Sequence, residues 1–247
     1  MQLDILTLFP NMFSGPFEES IVKRAQEKKL VNIRILNIRD FSTNKHRSVD
    51  DYPFGGGSGM VLQADPIARA VRHVDPTREA RVILTCPQGK PFDQQLAWAL
   101  AREQHLVIIC GHYEGVDERV RENLVTDAIS IGDYVLTGGE IPAMVISDAI
   151  IRLLPGALGG DNAATEDSFS TGLLEYPQYT RPEAWEGHVV PPVLLSGNHE
   201  EIRLWRRREA LARTLEHRPD LLAKADLNQE DLKLLAEIER EREREGC

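Results

Sequence analysis

Five short apolar runs, Leu3–Phe9, Val31–Ile38, Arg81–Thr85, Leu106–Cys110 and Ala128–Ile131, are spaced through the first part of the chain. Each has the length and composition of a β-strand. Helical stretches lie between several of them. Ile67–His73 follows Asp65-Pro66, a residue pair suited to the N-cap and first turn of a helix. Phe92–Glu103 follows Lys90-Pro91 and carries Leu96, Ala99 and Leu100 on one face. Strands alternating with helices predict an α/β fold with a mostly parallel sheet.

The next segment, Pro142–Leu154, is apolar almost all round, which predicts a helix buried on several sides, part of that burial supplied by a second subunit. Pro155-Gly156 ends it. Residues 157–172 are rich in Gly, Ala, Asn, Ser and Thr and read as a linker. Beyond it, Glu200–Glu216 is an amphipathic helix, basic on one side, and Asn228 with Asp231 forms the start signal of a final helix. The alternating Glu-Arg tail is expected to fray into solvent. This organisation predicts an α/β domain over residues 1–160, a linker over 161–173 and a small helical domain over 174–247.

Composition narrows the function classes. Hydrophobic residues make up 42% of the 247, enough for a core. No run approaches the ~20 apolar residues that span a bilayer, and Asp4 interrupts the first apolar stretch, so the N-terminus reads as a strand and not a signal peptide. Cys86, Cys110 and Cys247 match no zinc or disulfide spacing, and the histidines show no ligand pairing. No metal site and no membrane partner are therefore expected. Cys86 and Cys110 close apolar runs and are expected to be buried and inert. These features fit a cytoplasmic protein.

The net charge of −10 argues against a nucleic-acid partner until its distribution is considered. From Asp226 onward eight acidic and four basic residues contribute −4. Basic residues cluster at Arg39, Lys45, His46 and Arg47, and again at Arg203, Arg206, Arg207 and Arg208. A local basic face can bind phosphates on an acidic protein. Charge alone fits an ordinary solvated helix face equally well for the second cluster.

Three of the strand ends run into glycine-rich loops: LTCPQGKPF (84–92), CGHYEGVDERV (110–120) and SIGDYVLTGGEIPA (130–143). Ligands of α/β sheets bind where loops leave the carboxyl ends of strands, and glycine lets backbone approach a ligand closely. One glycine-rich loop is most simply a tight turn. Three of them, with the carboxylates Glu114, Asp133 and Glu140 in the second and third, point to one shared pocket. A dinucleotide site is disfavoured: GGGSGM at 55–60 puts Met60 where the fingerprint needs its last glycine, and no P-loop sequence is present.

These segments resemble the bacterial tRNA (guanine-N1)-methyltransferases, SPOUT-class enzymes that act on guanosine 37. The resemblance covers nearly the whole chain. It runs through Leu8, Phe9, Pro10, Met12 and Phe13, DDYPFGGGSGM (50–60), the three loops, ATEDSF (164–169), YTRPE (179–183) and VPPVLLSGNHEEIRLWR (190–206). SIGDYVLTGGE and LLSGNH are its most specific parts; Ser58 departs from it, standing where the family often has proline. The resemblance implies a deep trefoil knot formed by the three loops, S-adenosylmethionine as methyl donor, tRNA as substrate, and a homodimer with the active site at the interface.

The resemblance also implies roles for single residues. Asp167 is the general base that takes the N1 proton of guanine, with Glu166 as neighbouring candidate, and Arg152 stabilises charge on O6. From the residues alone Asp167 is equally a turn cap, and Arg152 equally a cap for helix C-terminal carbonyls. The cofactor residues implied are Pro87, Gly111, Glu114, Ile131, Gly132, Tyr134, Leu136, Gly138, Gly139 and Pro142, and a β-carbon at Gly139 is expected to enter the pocket. Asp50, Gly55, Gly57, Gly59, Arg203, Arg206 and Arg208 would hold RNA. A ribose-methylating relative of the same class, or an RNA-binding module without chemistry, are the competing readings; the Arg152 and Asp167 pair and the intact loops count against them.

Overall fold

All five apolar runs become strands of one sheet. The computed structural model describes residues 1–159 and 163–245, and the chain divides into two compact units, Met1–Asp161 and Asn162–Cys247. The expected boundary at 160–161 and Cys247 lie outside the described residues. In the first unit the chain order is β1 (Gln2–Thr7), α1 (Ser20–Glu27), β2 (Asn32–Asn37), β3 (Asp50–Asp51), β4 (Val61–Leu62) and α2 (Ala64–Val74). It continues through β5 (Arg81–Pro91), α3 (Gln94–Leu100), β6 (His105–Cys110), α4 (Glu118–Asn123), β7 (Asp127–Ser130) and α5 (Glu140–Ile151).

The main sheet has the order β2-β1-β6-β5-β7, and every neighbouring pair is parallel. Alternation along the strands serves two cores. Leu3, Ile5, Ile83, Leu106 and Ile108 pack with α1, α3 and α5 on one face. Leu6, Val82, Leu84, Val107 and Ile109 pack with α2 and α4 on the other. The first unit is therefore a three-layer α/β/α sandwich. Parallel strands covered on both faces read as continuous apolar runs, which is why all five stand out in the sequence.

Element starts differ from the sequence reading where side-chain chemistry decides them. α2 begins at Ala64 after Gln63, and Asp65 sits within its first turn, paired with Arg69 at 2.8 Å, where the sequence reading made it the cap. α3 begins at Gln94, because Asp93 accepts from the N–H of Leu96 at 2.8 Å. Lys90 and Pro91 belong to β5, which runs beyond Thr85 across an irregularity. α5 begins at Glu140, two residues before Pro142, since proline is tolerated in a first turn.

The second unit contains α6 (Ala163–Glu166), the two-residue antiparallel pair β8 (Ala184–Trp185) and β9 (His188–Val189), α7 (His199–His217), α8 (Pro219–Leu222) and α9 (Gln229–Glu245). Leu173, Leu211 and Ile238 centre its small core. Asn228 and Asp231 cap each other reciprocally at the start of α9, at 3.0 and 2.9 Å. The Glu-Arg tail does not fray up to Glu245. It continues α9, because Ile238 is buried and the Arg208–Glu241 and Arg242–Glu216 ion pairs tie the helix to α7.

Candidate functional site: a glycine-lined cleft at the strand ends

The carboxyl ends of β5, β6 and β7 are neighbours in the sheet, so the loops leaving them converge. They enclose a cleft of about 390 Å³ walled by residues 84–88, 111–116, 129–132 and 134–139 together with Glu118, Arg121 and Pro142. That size falls in the range of sites for drug-sized ligands. All ten residues expected to hold the cofactor line it.

Each loop is shaped by its glycines. In β5, Thr85 and Lys90 both pair with Ile129, so residues 86–89 bulge out of the sheet. A β-carbon at Gly89 would lie 2.5 Å from the carbonyl carbon of Ala128, so only glycine lets the bulge close. In the second loop Tyr113 takes φ 59° and Gly115 φ 148°. The third loop folds back on the other two. Gly139 donates its N–H to the carbonyl of Gly111 at 2.7 Å. A β-carbon at Gly139 would lie 2.6 Å from the Gly111 nitrogen and 2.8 Å from Cys110 Cα, with Thr85 Oγ1 closer still. This corrects the sequence expectation: the hydrogen on Gly139 keeps two main chains together, and a side chain there would strike the fold.

Behind the loops lies a buried polar cluster. Glu140 is 2% exposed, and its Oε1 accepts from Thr7 Oγ1 at 2.7 Å. Thr7 Oγ1 in turn accepts the N–H of Phe9 at 2.9 Å. The ring of Phe9 packs on His112, whose Nδ1 would be 2.7 Å from a β-carbon at Gly138. The cluster fixes the first turn of α5 against the ends of β1 and β6. Burial, with the Glu140 charge beside it, pushes the Cys110 thiol well up, so it stays protonated. Cys86 departs from expectation: it is only partly buried and lines the cleft, because it stands in the bulge and not in the paired part of β5.

Asp50 opens β3, and Gly55, Gly57 and Gly59 belong to the loop between β3 and β4, which is rooted on the cleft. Glu114 donates its N–H to the Met60 carbonyl at 3.0 Å, and Leu62 donates to Gly115 at 3.0 Å. Gly59 packs against the Glu114 side chain so closely that a β-carbon would lie 2.5 Å from Cγ.

Asp167 and the second basic cluster lie in the other unit. Asp167, Tyr176, His199, Arg203 and Arg206 line a cleft of about 320 Å³. Its rim is the turn after α6, closed by Ser170 donating its N–H to the Asp167 carbonyl at 3.2 Å and by Glu175 donating to Ser168 Oγ at 2.9 Å. The arginines are not equivalent. Arg203 pairs with Glu200 and Glu230, Arg207 with Asp231, and Arg208 with Glu209 and Glu241. Arg206 lies over the ring of Tyr176 at 4.8 Å, and among the described residues it makes no ion pair. The basic stripe read from the sequence is thus largely neutralised within its own unit.

Arg152 caps the carboxyl end of α5, where its N–H donates to the Asp148 carbonyl at 3.1 Å, and it does not line the cleft. The cleft sits at the amino end of the same 12-residue helix, about 18 Å away at 1.5 Å per residue. Seven residues of α5 are buried within the unit, whereas Ile141 and Val145 are 48% and 44% exposed. Among the described residues no group of three or more His, Cys, Asp or Glu is placed to hold a metal ion, and no helix is long and apolar enough to cross a membrane.

A parallel α/β/α unit with a glycine-lined cleft across three adjacent strand ends is an α/β protein built to hold a small ligand at that edge. The comparisons give the family. Residues 1–224 match the family described as tRNA (Guanine-1)-methyltransferase TrmD, and the chain belongs to it. Curated proteins named tRNA (guanine-N(1)-)-methyltransferase are similar along the full length. The one from Moorella thermoacetica is 61% identical over 249 residues, covering 100% of this chain and 98% of its own. That from Pelotomaculum thermopropionicum is 61% identical over 241 residues, 96% of each chain. That from Bacillus cereus is 59% identical over 243 residues, 98% of this chain and 100% of its own.

Proposed function

We propose that the protein transfers a methyl group from S-adenosylmethionine to N1 of guanosine 37 in tRNA, as a homodimer whose sites are shared between subunits. The observation that carries this reading is the convergence of ten family-matched residues on one cleft, in a chain about 60% identical to enzymes of that name. The cleft fits the cofactor chemically. Pro87, Ile131 and Leu136 offer apolar surface for adenine, and the glycine-rich backbone offers N–H and carbonyl groups to its edge. When bound there, S-adenosylmethionine supplies an electrophilic sulfonium methyl. The knot that accompanies this class would be formed by the three loops; the close packing of Gly139 on Gly111 suits a chain drawn tightly through itself.

The chain's own residues would do the rest. Guanine N1 carries a proton at neutral pH and loses it as the N–C bond forms. The carboxylate of Asp167 takes that proton. The negative charge that deprotonation leaves spreads onto O6, where the guanidinium of Arg152 stabilises it. The distance from cleft to Arg152 along α5 favours a site in which the cleft comes from one subunit and Arg152 from its partner. The exposed stripe of Ile141 and Val145 on α5 gives such a pair an apolar surface to bury. The direct test is incubation with tRNA and S-adenosylmethionine followed by nucleoside mass spectrometry. One molecule of 1-methylguanosine at position 37 is the expected product; a 2′-O-methyl nucleoside or no methylation sinks the reading.

A further inference from the structure

Two large aromatic rings are exposed on a loop whose root is bonded to the cleft. Tyr52 is 78% exposed and Phe54 101%. They sit in the loop between β3 and β4, where Gly56 donates its N–H to the Pro53 carbonyl at 3.3 Å. Gly55 at φ +85° completes that turn and puts Phe54 at its tip. β-carbons at Gly55 and Gly56 would meet nothing within 4 Å, so the tip stands clear of the protein. Its root does not: Asp50 and Asp51 pair with Leu62 and Val61, and Met60 and Leu62 bond the cleft loop at Glu114 and Gly115. The tip is therefore carried at a defined place beside the cleft. Tyr52 and Phe54, two residues apart on a rooted loop, together expose apolar surface of the kind that marks an interaction site.

We propose that Tyr52 and Phe54 form a stacking platform for an unpaired base flanking the target guanine. The inference rests on the reading of the protein as a guanine-N1 methyltransferase and adds a subsite to it. N1 lies on the Watson–Crick edge, so the target base cannot be paired when it is methylated, and reaching a cleft takes it out of its stack. Its neighbour then loses a stacking partner. Exposed aromatic rings replace such partners in single-stranded RNA recognition, and they do so without reading sequence, because every base has a π-face. Lys45, exposed just before β3, places positive charge on the same stretch of chain for the backbone.

The test uses the full-length protein and an RNA hairpin with an unpaired target guanosine, carrying 2-aminopurine on its 5′ or its 3′ side. Wild type is expected to quench 2-aminopurine on one side on binding. Phe54→Ala is expected to lose that quenching and to bind the hairpin roughly ten- to one-hundred-fold more weakly, the range for losing one stacked base. Phe54→Trp retains both properties and Phe54→Leu neither, while S-adenosylmethionine affinity stays at the wild-type value throughout. The proposal is overturned if Phe54→Leu behaves as wild type, since an apolar contact then suffices. It is equally overturned if Phe54→Ala weakens S-adenosylmethionine binding, which makes the loop a cover on the cleft, or if it shifts the sedimentation of the protein, which makes it a subunit contact. If wild type forms 1-methylguanosine but Phe54→Ala keeps quenching and affinity, the platform alone fails. If wild type forms none, the methyltransferase reading fails and takes the platform with it.

Discussion

Gly139 donates its N–H to the carbonyl of Gly111 at 2.7 Å, which ties the third cleft loop to the second and starts α5. Gly139→Val puts a branched side chain against the main chain of residues 110–111. Overpacking a rigid site costs roughly 3 kcal/mol, so the melting temperature should drop by on the order of 10 °C. Leu136→Ala is the clean probe of the cleft, because Leu136 lines it while 39% exposed. It should leave the melting temperature unchanged and weaken S-adenosylmethionine about ten-fold, the value of one lost apolar contact surface. Calorimetry showing wild-type affinity for Leu136→Ala would remove the cofactor from this cleft.

Asp167→Asn should keep cofactor affinity and lose roughly 10²–10⁴-fold in single-turnover methyl transfer, the usual cost of a missing general base. The deficit should shrink in alkaline buffer, where N1 ionises without help. A deficit that is constant with pH would assign Asp167 a positioning role only.

The arginines of α7 should separate in their response to salt. Arg206 stacks on Tyr176 and is exposed, so it can meet a phosphate; Arg208 is engaged by Glu209 and Glu241. Arg206→Ala should lower the slope of log affinity for tRNA against log salt by about one, and Arg208→Ala should leave it unchanged. Equal slopes for Arg206→Ala and wild type would put the RNA on another surface.

The five strands can be read in the sequence because parallel strands covered on both faces are largely apolar, and the cleft loops because β6 and β7 run into glycine and β5 is interrupted by one. The neutralisation of the basic cluster could not. Arg203 meets Glu230 across 27 positions and Arg208 meets Glu241 across 33, and no local pattern joins them. Short helices such as α1 and α4 are hard to read for the opposite reason: at eight and six residues they fall short of the length at which a periodic run separates from a loop. Asn228 with Asp231 was legible, because a capping box is written within four consecutive residues.

Asp231 goes further than its capping role, since its fully buried carboxylate also takes both Nε and Nη2 of Arg207, at 2.6 and 2.8 Å. The Arg207 hydrogen bonds hold the Asp231 carboxyl below its ordinary value, against a burial effect of opposite sign. A depressed carboxyl stabilises the fold at pH above the unfolded aspartate value of ~3.9, and that stability is lost as pH falls through the lower folded value. Wild type should therefore lose stability in acid below about pH 4, and Asp231→Ala should lose roughly 3 kcal/mol at neutral pH by leaving Arg207 unpaired. A chemical denaturation midpoint for Asp231→Ala equal to wild type at pH 7 would contradict this.

The proposed sharing of sites between subunits makes the most demanding prediction. In one chain the cleft lies at the amino end of α5 and Arg152 at its carboxyl end, about 18 Å apart, beyond the reach of an arginine side chain. On the proposed mechanism a single chain would therefore leave Arg152 out of reach of a guanine held beside its own cleft. Two copies packed along the exposed Ile141 and Val145 stripe can do so if their α5 helices run antiparallel, as a two-fold axis across the helices requires. Two inactive variants test this: Arg152→Ala, with an intact cleft, and Leu136→Asp, with a charge in the cleft and an intact Arg152. In a mixed dimer one site pairs the intact cleft with the intact Arg152, and the other carries both lesions. Co-refolding equal amounts yields half mixed dimers, each with one working site, so about a quarter of the wild-type activity should return if dimers assort at random. Native mass spectrometry counts the mixed dimers. If they form and 1-methylguanosine stays absent, each site is built within one chain.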